Sequence, residues 1–265
     1  MFPKILDLGP VTLHTYGLLL ATAYLVSISL ASRLARREGI LGNRIWDMGF
    51  VIILSAILGA KLLLVLTDLG SYLEQPSRFL SIEFWQAGGV YYGGFLGAVL
   101  GAGIYAWRSP DLQFWTVSDV AAPAIALGQC IGRLGCFAAG CDYGQPSDLP
   151  WAVTFTSEYA HRFIGVPINI PLHPTQLYES LASLGIFSIL LGVYQRRRFT
   201  GQVFSLYLML YSVFRFALEF FRGDLHRGFV FGDVLSTSQF ISVLIFPAGA
   251  ILYFFFRQRI RHEYS

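Results

Sequence analysis

WDMGFVIILSAILGAKLLLVL, residues Trp46 to Leu66, is the stretch that decides the fold. It runs for 21 residues with Asp47 and Lys61 as its only charges. At 1.5 Å per residue such a helix reaches about 30 Å, the thickness of a bilayer's hydrocarbon core. A helix apolar all round belongs in lipid or inside a large protein, and the rest of the chain chooses lipid. Six further runs have similar character: Thr12 to Leu34, Gly88 to Trp107, Val117 to Leu134, Gln176 to Tyr194, Val203 to Phe221, and Leu235 to Phe256. Charged residues make up 13% of the 265, about half the share of soluble domains, and mean hydropathy is +0.57. The expectation is an all-α integral membrane protein of about seven transmembrane helices, one polytopic domain over residues 1–265.

The connections between runs alternate in charge. One set carries Arg33, Arg36, Arg37 and Arg44, then Arg108, then Arg196, Arg197 and Arg198, then Arg257, Arg259 and Arg261. The other mixes signs: Asp68, Glu74, Arg78 and Glu83; Asp142, Asp148, Glu158 and Arg162; Arg222, Asp224, Arg227 and Asp233. The positive-inside rule puts the first set in the cytoplasm. The N-terminus is then outside and the C-terminus cytoplasmic, as an odd number of spans requires. Only Lys4 precedes the first run and the arginines follow it, the reverse of a signal peptide, so the run is expected to be retained. The basic residues sit in short clusters between apolar runs, and no nucleic-acid motif accompanies them.

Small residues predict close helix contacts at Gly93, Gly97 and Gly101 and at Gly128 and Gly132, each set spaced by four. The longest outer connection, at about 135–174, is too long for a plain linker. Its cysteines, Cys136 and Cys141, join Cys130 in an odd count that argues against a disulfide framework. A Cys136–Cys141 bridge stays open on the oxidising side of a membrane. The Cys136-x4-Cys141 spacing does not suit zinc, so no metal is expected.

The chemistry concentrates in a few polar residues inside apolar runs. Arg133 lies in GQCIGRLGCF at the outer end of the fourth run, and Arg215 in YSVFRFALEFFR on the sixth. An arginine at membrane depth costs roughly 2.5–3.5 kcal/mol on insertion scales, so each needs a carboxylate, a wet cavity or an anionic ligand. Glu219 lies four residues after Arg215, with Tyr211 and Arg222 on the same predicted face. Arg133 has no carboxylate within a turn. Two guanidiniums at one depth suit a phosphate. HPTQLYE, His173 to Glu179, opens the fifth run, where Pro174 fits a first turn. Its His173, Gln176, Tyr178 and Glu179 exceed what a cap needs, and Glu179 can hold either Arg133 or Arg215. Tyr92, before Gly93-Gly94, and His14 and Tyr16, at the start of the first run, suit either an interfacial anchor or a site. Lys61 either snorkels or meets an anionic lipid.

Three segments together resemble the bacterial prolipoprotein diacylglyceryl transferase family: GRLG at Gly132 to Gly135 with its following loop, HPTQLYE, and Tyr211 to Arg222. His14, Tyr16 and Gly17, and the Gly-Gly after Tyr92, fit as well, over almost the whole chain in order. The resemblance implies transfer of the diacylglyceryl group of phosphatidylglycerol to the thiol of a lipobox cysteine in a prolipoprotein signal peptide. Glycerol phosphate leaves, in the first step of lipoprotein maturation. It implies a multi-pass protein of the bacterial plasma (inner) membrane whose active site faces the periplasmic or outer side. It implies that Arg133 and Arg215 are essential, and that Tyr16, Tyr211, Glu219 and the His173 segment line the site. Two positions depart from the pattern: Tyr92 stands where some members carry a histidine, and Cys136 where they carry an asparagine. Either Tyr92 takes over as proton acceptor or no strong protein base is needed. Partners other than these substrates are membrane lipids, with no nucleic acid, and no cofactor is called for. The rival reading is a transporter or channel for an anionic solute, because intramembrane arginines can line an anion path. Against it, no pseudo-symmetric halves are visible. An intramembrane hydrolase finds no motif here.

Overall fold

A computed structural model of the chain describes residues 4–7, 12–81, 84, 89–224, 228–232 and 234–263. Gly88, and Glu83, Arg227 and Asp233 of the mixed-charge connections, lie outside the described residues. Two short strands, β1 (Lys4–Asp7) and β2 (Thr12–His14), form an antiparallel pair ahead of α1 (Thr15–Arg37). Then come α2 (Gly42–Thr67), α3 (Leu69–Glu74) and a 3-10 turn (Pro76–Leu80), followed by α4 (Tyr91–Arg108) and α5 (Phe114–Ala139). The long connection holds β3 (Val153–Thr154), α6 (Glu158–Ile164) and β4 (Pro171–Leu172). It leads into α7 (Thr175–Gln195), α8 (Gln202–Leu218) and a 3-10 turn (Glu219–Phe221). The pair β5 (Phe229–Val230) and β6 (Leu235–Ser236) precedes α9 (Thr237–Glu263).

By length and composition, six of these helices can cross a bilayer: α1, α2, α5, α7, α8 with its 3-10 turn, and α9. The remaining predicted run became α4, 18 residues long. Its length, about 27 Å of helix, nearly matches a bilayer core. The first helix begins three residues after its apolar run, because Thr12 to His14 pair as a strand. Helix α5 continues past the fourth apolar run to Ala139, which puts Arg133 six residues inside the helix rather than at its end.

The chain divides into two compact units, residues 32–114 and residues 1–31 with 115–265. Within the smaller unit, α4 lies along α2 through its glycines. A Cβ on Gly97 would collide with the carbonyl oxygen of Ser55, and one on Gly101 would stand 2.5 Å from the Ser55 hydroxyl. Gly93 meets Gly59 in the same seam. The small-residue spacing is therefore a contact surface, as the close-approach rule requires. Lys61 donates from its Nζ to the Phe84 carbonyl, with the Nζ 4.8 Å from that residue's ring centroid.

In the larger unit, Gly128 of α5 packs on Ser27 of α1, whereas nothing lies near a Cβ placed on Gly132. Only the first of that predicted pair serves close packing. Asp119, fully buried on α5, accepts from the backbone N–H of Gly201 (2.7 Å) and Phe204 (2.9 Å). It thereby satisfies N–H groups that the start of α8 would leave orphaned. The long connection is ordered by a small core of its own. Phe155, Ala160, Val166 and Leu172 are buried together, with Phe137 at the end of α5 and Tyr143 packed against them. That core fixes where the residues just after α5 come to lie.

Candidate active site

At the end of α5 the chain makes two left-handed turns. Gly140, at φ 89°, donates its N–H to the Cys136 carbonyl (2.8 Å) and stops the helix in the conformation glycine adopts without strain. Asp142 follows at φ 59°, a region that Asp tolerates better than most residues. The turn aims the Asp142 side chain back at α5. Its carboxylate accepts from Arg133 Nη1 at 2.9 Å and from Arg222 Nη2 at 2.6 Å, one oxygen to each arginine. Arg222 also grips Asp224 through Nε (2.7 Å) and Nη2 (2.6 Å).

Glu179 completes the network. It lies on the first turns of α7, buried, and its Oε1 stands 2.9 Å from Arg133 Nη2. Of the two partners left open for Glu179, the structure selects Arg133. The Arg133 side chain is 23% exposed, Asp142 30% and Glu179 only 2%, so one carboxylate anchors the guanidinium from inside while the other sits at the accessible edge. Buried charges that are paired and hydrogen-bonded remain ionised where lone ones would not. Burial pushes the Asp142 carboxyl up, but the Arg133 and Arg222 guanidiniums outweigh it and hold its pKa at about 2. Arg222, in turn, is raised by the Asp224 and Asp142 carboxylates against the opposing effect of burial.

Around this hub the backbone is knitted from three directions. Gly144 N–H donates to the His173 carbonyl (3.2 Å), Gln145 N–H to Phe221 (2.9 Å), His173 N–H to Gln145 (2.9 Å) and Gly223 N–H to Tyr143 (3.0 Å). From α7, Thr175 Oγ1 donates to the Asp142 carbonyl and Gln176 Nε2 to the Cys141 carbonyl, each at 2.7 Å. The HPTQLYE string thus acts as a clamp on the 141–145 turn rather than as a cap: Pro174 stands one residue before the helix and no side chain caps it. Tyr178 OH receives a hydrogen bond from Trp151 Nε1 (2.7 Å) and lies 3.2 Å from His173 Nδ1.

Arg215 behaves differently. Its Nη1 stands 2.6 Å from Glu219, and its Nη2 donates to Ser238 Oγ on α9 at 2.9 Å. The Arg215–Glu219 contact is an ion pair by distance without hydrogen-bond alignment. Arg215 and Glu219 keep their predicted common face, four residues apart, but Arg222 leaves it. Helix α8 ends at Leu218, and after one 3-10 turn Arg222 is extended and directed to Asp142. The described contacts accordingly join Arg133 to Arg222, with Arg215 held separately on the same segment. Tyr211 stacks on Tyr207 with centroids 5.8 Å apart, within electrostatic range of Arg133. Tyr16 faces Arg133, Asp142 and both loop cysteines at the same range, its ring 3.3 Å from where a Gly135 Cβ would be. His14 Nε2 is 3.0 Å from Tyr159 OH, outside the network. Cys136 is buried, and its Sγ lies 4.0 Å from Arg133 Nη1. All three cysteines are free thiols. Cys136, Cys141 and Asp142 bring ligand atoms within 4.8 Å of one another. With Asp142 committed to two guanidiniums, that trio fits a cation poorly. Tyr92 belongs to the other compact unit, more than half exposed, with the Tyr91 ring at 5.8 Å.

Sequence reasoning passed over three residues of this site. In the sequence Asp142 is one loop charge among several, although its place in GCDYG, between two glycines that permit a sharp turn, is a signal. Ser238 and Trp151 carried no signal, because their partners lie 23 and 27 residues away.

Comparison with known proteins adds a separate line. The family model described as prolipoprotein diacylglyceryl transferase matches residues 3–255. The phosphatidylglycerol–prolipoprotein diacylglyceryl transferase of Clostridium tetani is 35% identical over 254 residues, covering 96% of this chain and 97% of its own. The enzyme of that name from Bordetella avium is 37% identical over 259 residues, covering 95% and 93%. That of Trichormus variabilis is 34% identical over 228 residues, covering 84% and 79%.

Proposed function

The chain belongs to the prolipoprotein diacylglyceryl transferase family, and from that premise we propose how its residues carry the reaction. The protein is a membrane transferase that moves the diacylglyceryl group of phosphatidylglycerol to prolipoproteins. The transporter reading falls away with the family assignment.

The proposal concerns acceptor, site and side. Phosphatidylglycerol reaches the Arg133 network from the bilayer with its tails still in lipid. Its phosphodiester meets the accessible edge of Arg133, where the part-exposed Asp142 shares Nη1, while buried Glu179 keeps the guanidinium oriented from behind. Arg215, steadied by Glu219 and Ser238, supplies a second positive charge. The thiolate of the lipobox cysteine attacks the glycerol carbon next to the phosphate oxygen. A sulfur–carbon bond forms, the carbon–oxygen bond breaks, and glycerol phosphate leaves with the electron pair and one more negative charge. Preorganised donors in a poorly hydrated site stabilise such developing charge far better than water does.

A free cysteine with pKa ~8.5 is a few per cent thiolate near neutrality, so a strong protein base is not required. Tyr16, Tyr211, His173, Gln176 and Tyr178 shape the surroundings. The proposed setting is a bacterial plasma membrane, with seven spans, the N-terminus outside and the Arg133 end toward the periplasmic or outer face.

What carries this reading is one observation: a part-exposed guanidinium inside an apolar helix, held by buried Glu179 at Nη2 and by the part-exposed Asp142 at Nη1. The test mixes purified protein, phosphatidylglycerol and a lipobox peptide and weighs the peptide by mass spectrometry. Arg133→Ala and Arg215→Ala should each abolish the mass gain while the protein remains inserted. Full activity in either variant removes phosphate gripping by that arginine.

A further inference from the structure

At the far end of α7 from Glu179, about 24 Å along the helix at 1.5 Å per residue, lies a cavity of about 910 Å³. It is built by the last turns of α7, the connection to α8, and α9. Arg196, Arg198 and Arg257 line it. Among the described residues none of these three has a carboxylate partner. Their neighbour Arg197 does have one: it stands 3.7 Å from Asp119 and lies over the Tyr194 ring. A positive-inside bias explains why arginines collect at this end. It leaves three exposed arginines lining one open volume, an excess of positive charge that attracts an anion.

The other wall is apolar. Ile189 and Val193 of α7 and Tyr253 of α9 face the same space. Ile189 is half exposed, at 50%. From Ile189 to Arg196 the helix climbs seven residues, about 10 Å, so the lining passes from hydrocarbon to charge over roughly the depth of a lipid headgroup and its first methylenes. Gln202 steadies the polar rim by accepting the Arg198 backbone N–H at 2.8 Å.

We propose that this cavity is a second anion site, distinct from the Arg133 network, that takes the phosphate of an anionic phospholipid with one acyl chain along Ile189 and Val193. Basic pockets between transmembrane helices at this interface favour such headgroups. The inference does not rest on the transfer reaction.

The test uses the purified full chain, delipidated in detergent. It is done in an Arg133→Ala background so that lipid held by the Arg133 network is not counted. Lipid retained from phosphatidylglycerol or phosphatidylcholine micelles is read by native mass spectrometry. The expected result is retention of phosphatidylglycerol over phosphatidylcholine. Arg196→Gln/Arg198→Gln/Arg257→Gln should weaken it about 100-fold, at roughly fivefold per arginine. Arg257→Gln alone should show the single-step loss and decides the matter if the triple variant does not fold. Arg162→Gln, which removes a charge from α6 of the long connection, should change nothing. Inorganic phosphate is the competing probe. If it displaces the lipid at millimolar concentration, or binds where lipid does not, a free anion replaces the phospholipid as occupant. Equal retention with and without the three arginines overturns the site.

Discussion

Asp142→Asn is the perturbation that probes the network most directly. The backbone is spared, because Asn occupies the left-handed region at φ 59° as readily as Asp. The side chain keeps its size but loses its charge, and one of its two acceptors becomes an NH2 group. Of the contacts at 2.9 Å to Arg133 and 2.6 Å to Arg222, one survives as a weaker hydrogen bond from a charged guanidinium to an uncharged amide oxygen, and the other sets donor against donor. Charge-assisted bonds contribute about 1.5–3 kcal/mol each, and neutral ones roughly half that. Arg133 keeps Glu179, and Arg222 keeps Asp224. The net loss is then about 2–4 kcal/mol, well short of a fully orphaned buried charge. For a chain of this size that lowers the thermal midpoint by about 5–10 °C. Transfer to a lipobox peptide should fall at least about tenfold at temperatures where the variant is folded, since misplacing a stabilising donor by an ångström is enough. The assay pairs thermal unfolding in detergent with mass-spectrometric transfer. An unchanged midpoint together with activity within twofold of the parent would falsify the idea that Asp142 holds the two arginines.

Acid should act on the same carboxylate. Its pKa of about 2 lies below the ordinary value of 3.8, so its stabilising contribution is complete above about pH 4 and is lost as the pH falls through about 2. A thermal midpoint that declines over this window in the parent, and declines less in Asp142→Asn, is the expected pattern; identical acid profiles contradict it. Tyr92→Phe should retain activity within about tenfold, whereas removal of an obligatory proton acceptor commonly loses 10²–10⁴-fold, and such a loss in steady-state transfer would make Tyr92 the base. Gly144→Ala places a Cβ 2.5 Å from the His173 Cβ and 2.9 Å from the Phe221 carbonyl oxygen. Because backbone must move to admit it, activity should drop together with protease resistance of the 140–175 connection, and a variant normal in both would mean that the seam is looser than drawn.

Hydropathy and charge in the sequence were enough to assign a membrane protein, to find its apolar runs, and to single out Arg133, Arg215 and the HPTQLYE string. A bilayer demands about 20 apolar residues per crossing, and any arginine inside such a run needs a reason. The seam between α2 and α4 was visible for a similar reason, since glycines spaced by four fall on one helix face and only small residues let backbones meet. What lay beyond local reading was who meets whom. Glu179 was equally suited to either arginine by sequence, because helix periodicity describes one helix and is silent about its neighbour.

Arg222 illustrates the limit in the other direction. Periodicity put it with Arg215 and Glu219, but the helix stops at Leu218 and one tighter turn sends it to Asp142. Asp142 itself looked like loop charge, and its position depends on a left-handed turn at Gly140 and on a core formed by Phe155 and Leu172, 13 and 30 residues further along the chain. The sequence by itself therefore determined the solvent, the helical character of the apolar runs and the polar residues that lipid would not tolerate without cause. The tertiary structure alone decided the ion-pair partners, because pairing depends on where helices end and loops return, and those are set by contacts between residues far apart in the chain.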